Sequence, residues 1–188
     1  MLTRLLKLFL GLTAYGVSMV MMLQSDLGLM PWDVLHQGIA LQGDWPMGRV
    51  TIAVSVVVLL LWIPIRQKPG FGTVSNAIVI GLVFDTVNGQ IGDRLLDATI
   101  ATRMALMIGG ILLNAVATAA YLGAHLGPGP RDGLMTGLVR RTGRSVRLVR
   151  TLIEGSVMVS GVLLGGTLGV GTIAYVLLIG PLIQHLLP

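Results

Sequence analysis

Two stretches decide how this chain is read: 27-LGLMPWD-33 and 126-LGPGPRD-132. They share Leu, Gly, Pro and Asp in one order and spacing, 99 residues apart, with Trp32 in the first where the second has Arg131. Sliding the chain by 99 positions without a gap pairs residues 1–89 with 100–188, and 18 of the 89 pairs are identical. About eight would be expected by chance for this composition. The identities cluster: Gly28/Gly127, Pro31/Pro130, Asp33/Asp132, Leu35/Leu134 and Gly38/Gly137, then Gly70/Gly169, Gly72/Gly171, Thr73/Thr172, Ile80/Ile179 and Gly81/Gly180. Six of the 18 are glycines, which mark backbone geometry rather than hydrophobicity. The chain therefore reads as two tandem repeats of about 90 residues, one over about 1–89 and one over about 100–188.

Composition sets the environment of those repeats. The chain is 54% hydrophobic and only 11% charged, with mean hydropathy +0.85, where a soluble domain carries about a quarter charged residues. Six apolar segments stand out, at 7–23, 50–65, 73–88, 104–124, 151–166 and 168–187. The expected fold is all-α: a polytopic helical membrane protein whose 188 residues form a single membrane domain. Several segments fall short of the roughly 20 residues that cross a bilayer, so they must borrow length from their flanks or sit where the membrane is thin. Arg4 and Lys7 before an apolar run resemble a signal peptide, but 23-LQSD-26 offers no small-x-small cleavage site, and the run reads as a retained first helix.

Each repeat reads as a long helix, a short helix, a second long helix, a Gly-x-Gly-Thr turn and a third long helix. Pro31 and Pro130 suit the first position of the short helices, and Asp33 and Asp132 fall in the first turn, at the positive end of the helix dipole. Eleven residues at 31–41 or 130–140 span only about 17 Å, which favours a re-entrant or interfacial helix over a crossing one. Three crossings per repeat would invert one half relative to the other, with both termini cytoplasmic. Arg4, Lys7, Arg66, Lys68 and the six arginines from 131 to 150 then lie inside, and Arg49, Arg94 and Arg103 outside. Eight crossings score the same under the positive-inside rule; helix length alone favours six.

The segments "LGLMPWDVLHQG", "GFGTVSNAIVIGLVFD", "GPGPRDGLMTGL" and "LGGTLGVGTIAYVLLIGP" together resemble the YczE-like bacterial integral membrane proteins, within the wider YitT-like group. The resemblance covers nearly the whole chain, and the Pro-x-Asp and Gly-x-Gly-Thr motifs of both halves are its specific part. It implies a bacterial inner-membrane location and a polytopic helical fold, and little chemistry.

The candidate substrate path follows from the interrupted helices. Short or broken helices at matching places in two halves point to a binding site between them, here Pro31, Asp33, Pro130, Arg131 and Asp132. The breaks at Gly70, Gly72 and Thr73 and at Gly169, Gly171 and Thr172 either line a cavity or form tight turns at the membrane surface. Ionisable groups inside apolar helices are functional candidates by default. Glu154 is the foremost, four residues after Arg150 and seven after Arg147, so the three share a stripe that serves either a path or an ion pair at the membrane edge. Asp85 and Asn76 are weaker candidates; Asn114 suits a hydrogen bond between helices.

Other chemistries find no support. With no cysteine, disulfides and thiolate sites are excluded. The scattered His36, His125 and His185 form no metal pattern, and "GPGPRDG" lacks the strand and backbone donors of a phosphate loop. No catalytic set is visible, so neither an enzyme nor a cofactor is expected. The net charge of +5 reflects membrane topology rather than nucleic acid, although the Arg131–Arg150 cluster could attract anionic lipid or an anionic small-molecule substrate. Small residues such as those of 161-GVLLG-165 suit close helix packing, and a homodimer stays open. The favoured function is a small-molecule or ion transporter or exporter; the alternative is a non-transporting membrane scaffold or accessory protein.

Overall fold

The structure is a computed structural model that describes residues 1–92, 95 and 98–186; Arg94 and the last two residues of the final apolar segment's repeat lie outside them. Among the described residues there are eight helices and no strand: α1 Leu2–Ser25, α2 Pro31–Gly43, α3 Met47–Leu61, α4 Phe71–Ile91, α5 Ile100–Leu122, α6 Pro130–Thr142, α7 Val146–Leu163 and α8 Val170–Leu186. Each of the six apolar segments carries a helix over most of its described length, and both short helices begin at the expected prolines. Helices α1, α4 and α5 are long and apolar enough to cross a membrane. Helix α8 is apolar but has only 17 residues. Helices α2 and α3 count as a fourth span only if taken together, across a bend of 115°.

Local chemistry places the breaks. Helix α1 stops where Asp26 turns left-handed, at φ 50°, a conformation that Asp tolerates better than most residues. Thr99 and Ser145 cap α5 and α7, accepting from the N–H groups of Thr102 and Leu148. Thr73 and Thr172 reach back to the N–H groups of Gly70 and Gly169 and tie off the first turns of α4 and α8. The left-handed residues recur at the 99-residue spacing: Asp26 and His125, Gly28 and Gly127, Asp44 and Gly143, Arg66 and Gly165.

Helices α1 and α5 run antiparallel through the centre, each holding the other's end. The Arg4 guanidinium donates to the carbonyls of Ala124 (2.8 Å) and His125 (2.7 Å). Arg103, its partner at spacing 99, donates to those of Ser25 (2.8 Å) and Asp26 (2.7 Å). A cation on the bare carbonyls at a helix C-terminus satisfies them and complements the dipole. Where the two helices cross, Gly11 lies so close that a Cβ there would be 2.8 Å from the Tyr121 nitrogen.

The loops before the short helices interlock in the same crossed fashion. Gly171 donates its N–H to the Leu27 carbonyl and Gly72 donates to the Leu126 carbonyl, both at 2.7 Å. Gly28 at φ 120° and Gly127 at φ 122° make this fit possible: a Cβ on Gly28 would stand 2.7 Å from the Gly169 nitrogen, and one on Gly127 3.0 Å from the Gly70 Cα. Beneath these contacts Leu8, Leu12, Met19, Met22, Met30, Val34 and Phe84 form the main core. A smaller core gathers Trp32, Val58, Trp62, Ile65 and Leu134.

Replacing Gly28 or Gly127 with Ala is therefore expected to cost about 1–3 kcal/mol each, from backbone strain and collision. Gly155→Ala, in α7 with open space around it, is expected to be neutral or stabilising by up to about 1 kcal/mol. Thermal unfolding of the purified protein in micelles, followed by circular dichroism, compares the three.

Candidate functional site: a cavity between the short helices

A cavity of about 390 Å³ is lined by residues of all eight helices, with the first turns of α2 and α6 on its wall. Much of its wall comes in pairs spaced by 99: Met30 with Gly129, Pro31 with Pro130, Trp32 with Arg131, Thr51 with Arg150, Ser55 with Glu154, Asn76 with Tyr175 and Ile80 with Ile179. Within those pairs all the charge sits in the second member, so one side of the cavity is apolar or hydroxylic and the other ionic. A mainly apolar pocket of this size with a few convergent polar groups is the usual form of a small-molecule site.

On the ionic side, Arg150 Nε meets Glu154 Oε1 at 2.8 Å. Tyr121 donates its hydroxyl to Asp132 Oδ2 at 2.6 Å, beside Gly129, where an added Cβ would also touch Asn76 Nδ2 at 3.2 Å. Tyr175 donates to Asn114 Oδ1, and Asn114 Nδ2 donates to Ser18 Oγ, each at 2.9 Å, so Asn114 ties α5 to α8 and α1 as a helix-bridging amide. Arg131 stacks its guanidinium 5.0 Å from the centre of the Trp32 ring, a favourable placement of cation over aromatic face. Its Nη2 lies 3.7 Å from Asp33 Oδ1.

Asp33 stands at the end of α2 where the helix dipole favours a carboxylate. It sits in the first turn of α2, but its side chain caps nothing. It is fully buried, with the Nδ1 of His36 3.3 Å from its Oδ1, and neither oxygen has a hydrogen-bond partner among the described residues. Arg131, from the other half, is the cation nearest to it, at 3.7 Å. Asp132 likewise makes no cap, because Tyr121 claims it.

The structure thus brings Pro31, Pro130, Arg131, Asp132, Asn76, Arg150 and Glu154 onto one cavity, with Asp33 behind Arg131. It does not bring in the Gly-x-Gly-Thr residues. Gly70, Gly72, Thr73, Gly169, Gly171 and Thr172 spend their close approach on the loops of the opposite half, and Thr73 donates to the Pro128 carbonyl at 2.8 Å. Asp85 is also elsewhere, accepting the Gly48 N–H at 2.7 Å where α3 meets α4. Arg147 lines a separate cleft between α7 and α8, which Arg150 and Glu154 also reach.

Of the aromatic part of the site, sequence reasoning reached only Tyr175, as the repeat partner of Asn76. The chain has three tyrosines, Tyr15, Tyr121 and Tyr175, and all three line the cavity. They lie on three different helices, so no local motif could connect them. The one signal is that Tyr15 aligns with Asn114, and Tyr175 with Asn76, at the repeat spacing.

Comparison with known proteins gives an address without an activity. The family described as "Family of unknown function (DUF6198)" matches residues 2–188. An uncharacterized protein of Haemophilus influenzae is 38% identical over 180 residues, covering 96% of this chain and 81% of that one. The uncharacterized membrane protein YczE of Bacillus subtilis is 29% identical over 176 residues, 93% of this chain and 80% of its own. YyaS of the same organism is 24% identical over 180 residues, 95% and 90% respectively. No solved structure matches the chain.

Tyr121→Phe is expected to destabilise by about 1–3 kcal/mol, since it leaves a partly buried carboxylate short of its donor. Thr136→Ala removes only a bond to the Gly133 carbonyl within the same helix and should stay within about 0.5 kcal/mol. Equal melting temperatures for the two variants would show that the Tyr121–Asp132 bond holds nothing.

Proposed function

The chain belongs to the DUF6198 family, and we propose that it is a transporter of a small molecule or ion across the bacterial inner membrane. Its two repeats act as inverted halves of three crossings each, with both termini cytoplasmic and α2 and α6 as short helices that stop within the membrane. The antiparallel course of α1 and α5 supports the inversion, as do the exchanged arginine contacts and the paired left-handed residues. Arg140, Arg141 and Arg144, at the end of α6 and in the loop after it, then face the cytoplasm, as cationic loops do.

The observation that carries the transport reading is a difference between equivalent helix pairs. Helices α3 and α4 are closed on each other. A Cβ on Gly48 would lie 2.1 Å from the Gly81 carbonyl, and Asp85 seals the contact by accepting the Gly48 N–H. The equivalent positions on α7 and α8 are Arg147, Gly180 and Gln184, and all three line an open cleft. Gly180 has nothing within 4 Å of where a Cβ would be. Halves built alike but closed on one side and open on the other describe one end state of an alternating-access cycle, with the cavity between them. A scaffold has no use for such a difference. In this reading Glu154 and Arg150 line the route from the cleft to the cavity.

The reading requires α7 and α8 to close as α3 and α4 do. The natural chain has no cysteine, so the pair Arg147→Cys with Gly180→Cys reports on that motion alone. Mild oxidation in native membranes is expected to cross-link the pair progressively, as molecules visit the closed state. No cross-link under conditions that oxidise an exposed cysteine pair would favour a rigid scaffold.

A further inference from the structure

We propose that Asp33 and His36 form a proton-binding pair that controls whether Arg131 can hold an anionic group in the cavity, so that a proton and an anion bind together. The proposal rests on the transporter reading for its purpose, but its chemistry stands on the geometry of three side chains. Asp33 and His36 lie one turn apart on α2, both fully buried. The Thr51 hydroxyl donates to the Met47 carbonyl at 3.0 Å, so its oxygen accepts from His36 Nδ1 at 3.1 Å. That network assigns the proton of neutral His36 to Nδ1 and leaves Nε2 as a bare acceptor.

The interior therefore holds three acceptor atoms without a hydrogen bond among the described residues: Asp33 Oδ2, His36 Nε2 and Asp33 Oδ1, the last with only the longer contacts to His36 Nδ1 and Arg131 Nη2. Burying such groups unpaired is costly, and one added proton relieves the cost. On Asp33 it creates a carboxyl donor; on His36 it creates an imidazolium beside the carboxylate. Both descriptions have the same net charge, so the proton belongs to the pair. It comes from water and returns there, with no other bond made or broken.

Arg131 connects this pair to the cavity. Asp33 itself is not part of the cavity wall; Arg131 stands between, with Trp32 against its face. While the pair is unprotonated it carries one negative charge and holds the guanidinium at 3.7 Å. Once protonated it is neutral, and Arg131 turns its charge to whatever shares the cavity. The other titratable groups near the pair are Tyr15 on α1 and Tyr175 on α8, while Asp132 on α6 and the Arg150–Glu154 pair on α7 line the cavity beyond Arg131. Helix α3 contributes the uncharged Thr51. Asp132 and Glu154 are already engaged by Tyr121 and Arg150, which leaves Arg131 as the cation whose partner changes. Linkage is reciprocal: an anion in the cavity strengthens proton binding as much as the proton strengthens anion binding. The substrate class is a small molecule with one anionic group on a body that suits tyrosine and isoleucine walls.

Iodide, a monovalent anion that quenches tryptophan fluorescence, tests this at equilibrium, without transport. Replacing exposed Trp45 with Phe leaves Trp62, buried in the smaller core, and Trp32, on the cavity wall beside Arg131. In the Trp45→Phe protein, iodide quenching should rise several-fold as pH falls below about 6.5, where histidine begins to take up a proton. Quenching by uncharged acrylamide should not follow. Adding Asp33→Asn should give strong iodide quenching at every pH, and adding Arg131→Gln weak quenching at every pH. Quenching in Trp45→Phe that ignores pH, that acrylamide reproduces, or that survives Arg131→Gln overturns the proposal, and these three readings decide it even if Asp33→Asn does not fold. Cross-linking of α7 to α8 is indifferent to all of them, so either idea can fail alone.

Discussion

The carbonyl oxygens of Leu27 and Leu126 each accept a hydrogen bond from a glycine that opens the last helix of the other half, Gly171 and Gly72. Most of the architecture follows from that exchange. In an apolar surrounding, a backbone carbonyl at a chain break must find a donor within the protein. Here the donor can come close only because Gly28, Gly127, Gly70 and Gly169 present no side chains. Arg4 and Arg103 repeat the arrangement one layer away, each satisfying the carbonyls at the end of the opposite central helix. Neither half can complete its own backbone bonding; each completes the other's. The short helices α2 and α6 are suspended from these loops, and their prolines and first-turn residues face one another across the cavity.

Equivalent scaffolds carry unequal chemistry, and that inequality is where function enters. At the positions of Trp32, Thr51 and Ser55 the second half has Arg131, Arg150 and Glu154. At the position of the tight Gly48–Gly81 contact it has Arg147 and Gly180. The first set makes the cavity ionic on one side; the second leaves α7 apart from α8. Both changes lie along one route, since Arg150 and Glu154 line the cavity and the cleft alike. Asp33 keeps Arg131 occupied at the inner end of that route.

The sequence made the skeleton legible because glycine and proline report backbone geometry directly. The 99-residue spacing, the short helices at Pro31 and Pro130 and the breaks at Gly70 and Gly169 could all be located without coordinates. Side-chain partnership was less accessible. Asp33 was legible as a first-turn carboxylate, but nothing local says that an arginine 98 residues away will lie beside it. The Gly-x-Gly-Thr residues read either as a cavity lining or as tight turns, because glycine permits close approach to a ligand and to another backbone equally well. Tyr15, Tyr121 and Tyr175 converge from three helices and share no motif. Glu154 and Arg150 were found for the opposite reason: a charge inside an apolar helix stands out by itself.

The central claim is that the two halves cross the membrane in opposite directions while bonding each other's ends. Asp26 and His125, the left-handed residues that end α1 and follow α5, are equivalent and exposed. Single substitutions Asp26→Cys and His125→Cys in the cysteine-free chain, treated with a membrane-impermeant maleimide, place each residue on one side. The account requires Asp26→Cys to react in intact spheroplasts and His125→Cys only in inside-out vesicles. Reaction of both from the same side would contradict it.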